Sequence, residues 1–396
     1  MTSRIHHQGL RRLIFEIITG GTLAVYAAIM LTAALAAAPA LHAQTFEVIH
    51  HFEESVDGSL PSGLTRDAAG NLFGTTTEGG SSGRGTVFKL DAATHTVTVL
   101  YNFTGAPDGG NPLGGVIPDP SGNLYGTTFG GGANGGGTVF KIDPSGIETV
   151  IYSFNRTHGM QPSAGLIRDP AGTLYGTTVT SHIQGDGVVF RINAAGIERT
   201  LHEFAGADGS HPYGSLARDR AGNLYGTTRD GGDFSHGTVF KLAPDGTETV
   251  LHSFTGDADG DFPDAGPLLD STGNLYGTTE LGGDFSRGTV FKIDSSGAFQ
   301  VVYSFQGRDG SGPSSGLVMD AGGNLYGTAF YGGDFNLGVV FKLDPSGNES
   351  VLHSFAGGAN GGTPLSTLLL TPDGTIFGST KGGGLHGAGT LFRIRP

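Results

Sequence analysis

Three loop tips in this sequence carry an acid followed by an aromatic: Asp233-Phe234, Asp284-Phe285 and Asp334-Phe335, each after Gly-Gly. An aromatic face offers an apolar platform, and a carboxylate accepts hydrogen bonds from hydroxyls. Together they suit a sugar ring, or a cation. These six residues are the candidate ligand-binding set. The alternative is that each Phe folds back over its own segment while the Asp caps the turn.

A second cluster, Asp257-Ala258-Asp259-Gly260-Asp261, resembles the start of a calcium loop. Asp257, Asp259 and Asp261 are therefore candidate metal ligands, and calcium is the one cofactor the sequence suggests. The EF-hand pattern needs Gly at its sixth position and Glu at its twelfth. Here Gly is fourth and Leu268 is twelfth, which favours a solvated acidic turn. His50, His202, His252 and His353 share one recurring position that elsewhere holds Tyr101, Tyr152 or Tyr303. A position that accepts His or Tyr suits amphipathic packing better than metal ligation. Arg66, Arg168 and Arg218 share another position; they could hold an anion, but pairing with the adjacent Asp67, Asp169 and Asp219 is the favoured expectation. No nucleophile elbow, phosphate loop, dinucleotide fingerprint or zinc motif is present, so no catalytic residue is named.

The elements that carry these residues repeat. Asn223-Leu224-Tyr225-Gly226-Thr227-Thr228 has seven copies, beginning at Asn71, Asn123, Thr173, Asn223, Asn274, Asn324 and Thr375. A period near fifty residues marks a solenoid or a propeller. Each unit reads as four short segments rich in Thr, Val, Phe, Tyr and Leu, separated by Gly, Asp or Pro, which is the pattern of strands and hairpins. Val239 and Phe240 are adjacent and both apolar, so both faces of the third segment are covered. Turns such as Asp143-Pro144-Ser145-Gly146 are assigned to structure, as is the Gly-x-x-Pro that opens every unit.

The two ends of the chain predict closure. A fourth-strand motif appears early, at Val48–Phe52, and the last unit stops after its third strand. Thr45–Phe52 is expected to complete the last unit, which would leave no open sheet edge. The fold expected is an all-β, seven-bladed β-propeller of four-stranded antiparallel blades, closed by the N-terminal strand.

Composition narrows the function classes. With 72 Gly and 18 Pro in 396 residues, disorder would be a concern if the glycines were not at fixed offsets. No cysteine is present, so there is no disulfide framework and no thiolate chemistry. The net charge of −14 supplies no basic stripe for nucleic acid; it suits a monomer and permits cation binding. Residues 1–43 begin with Arg4, Arg11 and Arg12, run apolar from Leu23 to Ala38 and end in small residues. They read as a signal peptide cleaved after Ala43, leaving residues 44–396 as a secreted or periplasmic repeat domain with no membrane contact; retention as an anchor is the alternative.

The run Gly222–Thr228, Gly231-Gly232 and Gly237–Leu242 is similar to the GloVer repeat family, also described as choice-of-anchor tandem repeat proteins of bacteria. The resemblance spans about residues 45–396. It implies an exported bacterial propeller-like protein and carries over no catalytic residue. Family members often add a C-terminal anchoring segment, whereas here the final strand runs to Pro396. The reading that follows is a non-enzymatic module that binds a ligand, such as a glycan or another surface ligand, through its long-loop face. The alternatives are a polysaccharide-acting enzyme with carboxylates on that face, and an adhesive module without a small ligand.

Overall fold

The computed structural model describes residues 44–181 and 185–396. The signal-peptide reading of residues 1–43, and the loop pair His182-Ile183, lie outside the described residues. Thr45–Arg395 forms seven four-stranded antiparallel sheets, a seven-bladed propeller. The first six blades run outward in chain order. In the fourth blade the strands are Ala217–Arg218, Leu224–Thr228, Thr238–Leu242 and Glu248–Ser253. The innermost strand is only two residues long in six blades, shorter than the sequence suggests, and eight in the first, Ser59–Arg66.

The predicted closure is present. Thr45–His51 pairs antiparallel with Thr390–Arg395 and becomes the outer strand of the seventh blade. The seventh blade also meets the first: Leu60 N–H donates to Ala388 O at 3.0 Å, and Ser379 Oγ donates to Pro61 O at 3.0 Å.

Packing explains the fixed letters of the repeat. Val239 and Phe240 are both fully buried, on opposite faces of one strand. Val239 packs in the core shared with the fifth blade, and Phe240 in the core shared with the third. Gly226 is required by the ring of Phe240, which lies opposite it in the ladder. A Cβ at Gly226 would stand 2.4 Å from Phe240 Cζ and 3.0 Å from Leu216 Cδ2. The close approach expected from a neighbouring backbone comes instead from an aromatic side chain. Thr228 and Thr238 share a buried hydroxyl–hydroxyl bond at 2.9 Å, a pair repeated in most blades.

Short turns such as Asp219–Gly222 lie on one face of the ring. On the other, the blade-to-blade loop and the second-to-third loop are joined by bridges such as Ser210 with Asp230 and Asp261 with Leu281. These longer loops surround the mouth of the central channel.

Candidate functional site at the channel mouth

The six tip residues sit on the outer rim of the long-loop face. Asp233, Asp284 and Asp334 each donate their backbone N–H to a serine at the end of their own outer strand, Ser253, Ser304 or Ser354. Phe234, Phe285 and Phe335 project outward, 56%, 52% and 59% exposed. Asp284 and Phe285 line a groove with the outer strand of their own blade, Phe299–Ser304. Neighbouring tips are one blade apart, so the three pairs do not converge on one pocket.

The acidic cluster is not gathered either. Asp259 accepts from His252 Nε2 at 3.0 Å and from the Thr255 hydroxyl. Asp261 accepts from His236 Nδ1 at 2.9 Å. No group of three potential metal ligands converges among the described residues. The recurring His/Tyr position holds the rim together. His252 packs edge-on against Phe254 and bonds Asp259; Tyr101 donates to Asp108 and His50 to Asp57 in the same way. The amphipathic role expected for these residues is present, and its polar end fastens the acid of the blade-to-blade loop. The arginine expectation fails: Asp67 and Asp219 accept from Asn71 and Asn223, and Asp169 from the Thr173 N–H and Tyr175 hydroxyl. Those carboxylates are committed to closing their turns.

The channel mouth is built on the blade-to-blade loop and the end of the second strand. The residue before the loop Pro adopts a left-handed backbone in every blade. In six it is not glycine: φ is 57° at Leu60, 56° at Asn111, 62° at Gln161, 55° at His211, 57° at Phe262 and 53° at Thr363. Such φ values strain a non-glycine residue, and a following Pro restricts it further. Both backbone ends hold it there. His211 N–H donates to Asp186 O of the preceding blade, while its carbonyl accepts from Arg229 N–H. The residue after each of these prolines then stands at the mouth: Ser62, Leu113, Ser163, Tyr213, Asp264, Ser314 and Leu365 all line it. The residue after the Thr-Thr of the second strand joins the lining at Glu280, Phe330 and Lys381.

These positions differ from blade to blade while their neighbours repeat. The position after the second strand holds Thr77, Phe129, Val179, Arg229, Glu280, Phe330 and Lys381. Side chains from the fourth to seventh blades then make one asymmetric sector. Its cavity, about 410 Å³, is lined by Tyr213, Asp264, Glu280, Phe330, Tyr331 and Lys381, with serines and leucines from the first three blades and from the sixth and seventh.

Arg229 organises that sector. Its Nη1 lies 2.9 Å from Asp264 Oδ2 and its Nη2 3.6 Å from Glu280 Oε2. The guanidinium also lies 4.6 Å from the Phe262 ring centre and 5.9 Å from that of Tyr213, within cation–π range. Asp264 Oδ1 is buried without a hydrogen-bond donor. Burial, and then the Glu280 carboxyl beside it, raise the Asp264 pKa well above the usual carboxylate range, against the opposing charge of Arg229. Burial also lowers Lys381, with Glu78 opposing. His211 Nδ1 is 3.1 Å from Asp230 Oδ2. Tyr213 and Tyr331 remain 38% and 49% exposed. The sector thus offers two open aromatic faces, a planar cation, a carboxyl pair and a His–Asp pair.

A model of the Gloeobacter/Verrucomicrobia repeat matches residues 38–232 and 213–396. Curated proteins give no match to the sequence. Among solved structures, virginiamycin B lyase from Staphylococcus aureus superposes with a TM-score of 0.62 at 13% identity, covering 89% of this chain and 99% of that one. The extracellular domain of a putative one-component system from B. thetaiotaomicron gives 0.58 at 13%, covering 88% and 40%. An oligogalacturonate lyase in complex with manganese gives 0.57 at 13%, covering 89% and 96%. At these identities the likeness is one of fold.

Proposed function

The chain belongs to the Gloeobacter/Verrucomicrobia repeat family, and on that premise we propose that it is an exported ligand-binding propeller whose long-loop face takes a glycan at the channel mouth. One observation carries this reading: the repeats diverge at the positions that ring the mouth, while the strands beneath them keep the same letters. Tyr213 and Tyr331 provide faces on which a sugar ring stacks, and Arg229, Glu280 and Asp230 lie where hydroxyls would bond. The exposed pairs Asp233-Phe234, Asp284-Phe285 and Asp334-Phe335 would contact an extended chain at the outer rim of the same face.

Glycan-array binding tests this directly. Changing Tyr213, Arg229 and Tyr331 to Ala should abolish binding; changing all six rim residues to Ala should weaken it less. Binding that survives the mouth variant would overturn the reading. Export is tested by the N-terminal residue of protein recovered outside the cytoplasm, expected to be Gln44.

A second reading is favoured by one contact. Asp264 and Glu280 both reach the Arg229 guanidinium, so two carboxyls share one site. With Asp264 raised, one carboxyl can give a proton while the other accepts one, the acid–base pairing that cleavage of a polysaccharide needs. Release of oligosaccharide by the unaltered protein, lost in Asp264→Asn, would support it; a panel of polysaccharides left intact would exclude it.

A further inference from the structure

On the face opposite the mouth, a groove of about 220 Å³ separates the third and fourth blades. Arg191 and Arg199 stand on adjacent strands of the third blade as direct cross-strand partners. Like charges placed directly opposite one another destabilise a sheet. Five other blades avoid this by opposing a lysine with a neutral residue: Lys89 with Thr98, Lys141 with Thr149, Lys241 with Thr249, Lys292 with Gln300 and Lys342 with Ser350. The seventh opposes Arg393 with Glu47, and the two form an ion pair at 2.5 Å. Only the third blade pairs two guanidinium groups.

A third guanidinium reaches the groove from the fourth blade. Arg218 lines it and lies 5.8 Å from the Tyr175 ring centre. The following three blades have Leu269, Met319 and Leu370 at that position. Among the described residues none of these three arginines forms an ion pair. The nearby acids are engaged elsewhere. Asp245, at the edge of the groove, accepts from the Thr247 backbone N–H, and Asp169, which feels the charge of Arg218, accepts from Tyr175 and Thr173.

We infer that this groove binds a phosphate- or sulfate-type oxoanion held by Arg191, Arg199 and Arg218. The planar guanidinium fork matches such groups with two parallel hydrogen bonds each. A bound anion would relieve the repulsion between Arg191 and Arg199. The space admits the anionic group and at most a single sugar-sized substituent, so the source is either the free inorganic anion or the same group on a monosaccharide.

The test uses the full chain with sodium phosphate, sodium sulfate and glucose 6-phosphate, each against sodium chloride at matched ionic strength, because screening alone weakens such contacts. Calorimetry and thermal melting are read in the unaltered protein and in Arg199→Thr, which installs the residue found at this place in the neighbouring blades. Phosphate or sulfate should raise the melting temperature of the unaltered protein beyond the chloride control. Arg199→Thr should bind at least about tenfold more weakly, a loss of one guanidinium contact, yet melt no lower than the unaltered protein when no anion is added. Tighter binding of glucose 6-phosphate than of phosphate assigns the group to a sugar; equal binding assigns the free anion. No shift beyond chloride, or an undiminished shift in Arg199→Thr, overturns the proposal.

Discussion

Arg229 Nη1 lies 2.9 Å from Asp264 Oδ2, so a guanidinium of the fourth blade is tied to a carboxyl of the fifth that lines the channel mouth. Removing the cation leaves Asp264 buried beside Glu280 with no positive partner. Arg229→Ala should lower unfolding free energy by about 1–3 kcal/mol, the cost of losing a hydrogen bond to a charged group. Adding Asp264→Asn should recover part of that loss. Urea unfolding at neutral pH measures both, and a double variant no more stable than Arg229→Ala would show that Asp264 carries no such penalty.

The outer strands carry a pH lever. Glu148, Glu248 and Glu349 are raised to about 7, first by burial and then by the carboxylates of Asp108, Asp208 and Asp309, and each has one oxygen without a donor. A carboxyl raised by folding adds stability below its unfolded pKa, and this is lost as pH climbs through the folded one. The melting temperature should therefore fall between about pH 4.5 and 7 through these three groups. Replacing all three by Gln should flatten that slope and raise the melt at pH 8. A slope unchanged in the triple variant would contradict the assignment.

Strain at the rim is open to measurement at Thr363, a β-branched residue at φ 53°. A left-handed backbone at such a residue costs on the order of 1–3 kcal/mol. Glycine removes that cost but loses roughly 0.5–1 kcal/mol in chain entropy. Thr363→Gly should be neutral or stabilising by up to about 1 kcal/mol, and Thr363→Ala less stable than the glycine variant. Equal stability of the two in chemical denaturation would remove the strain argument.

Closure and interleaving make two further variants informative. Gly226→Val would drive its side chain into the fully buried Phe240 ring, at a cost of roughly 1–3 kcal/mol. Deleting Thr45–His51 removes the outer strand of the seventh blade, with Phe46 and Ile49 from its flanking cores. A sharply lower melting temperature and aggregation should follow. An unaltered melt after that deletion would show that the ring does not depend on it.

The scaffold was legible because its demands are periodic. Gly226 must face Phe240, Val239 and Phe240 must cover two neighbours, and each requirement returns every fifty residues. The early Val48–Phe52 motif sufficed to place the closing strand. The innermost strands are shorter than their letters suggest: Ser215–Asp219 reads as a strand, but only Ala217–Arg218 pairs in the ladder while Ser215 packs against Gly266 of the next blade. The mouth was harder to see for the opposite reason: its residues lack a pattern. Asp233-Phe234, Asp284-Phe285 and Asp334-Phe335 stand out in its place because they recur together. The signal that could have found the mouth was the irregular letter following Thr-Thr, where Arg229, Glu280 and Lys381 break an otherwise constant run. His252 with Asp259 shows a related limit. Each residue was assigned a role, but their contact spans seven positions and only the folded loop joins them.

The left-handed residue ahead of each loop proline is fastened through its main chain at both sides. The ring holds it by the backbone, and six blades place six different side chains there: Leu60, Asn111, Gln161, His211, Phe262 and Thr363. One socket that tolerates such different side chains lets this part of the long-loop face change one blade at a time, with the wedges below left untouched.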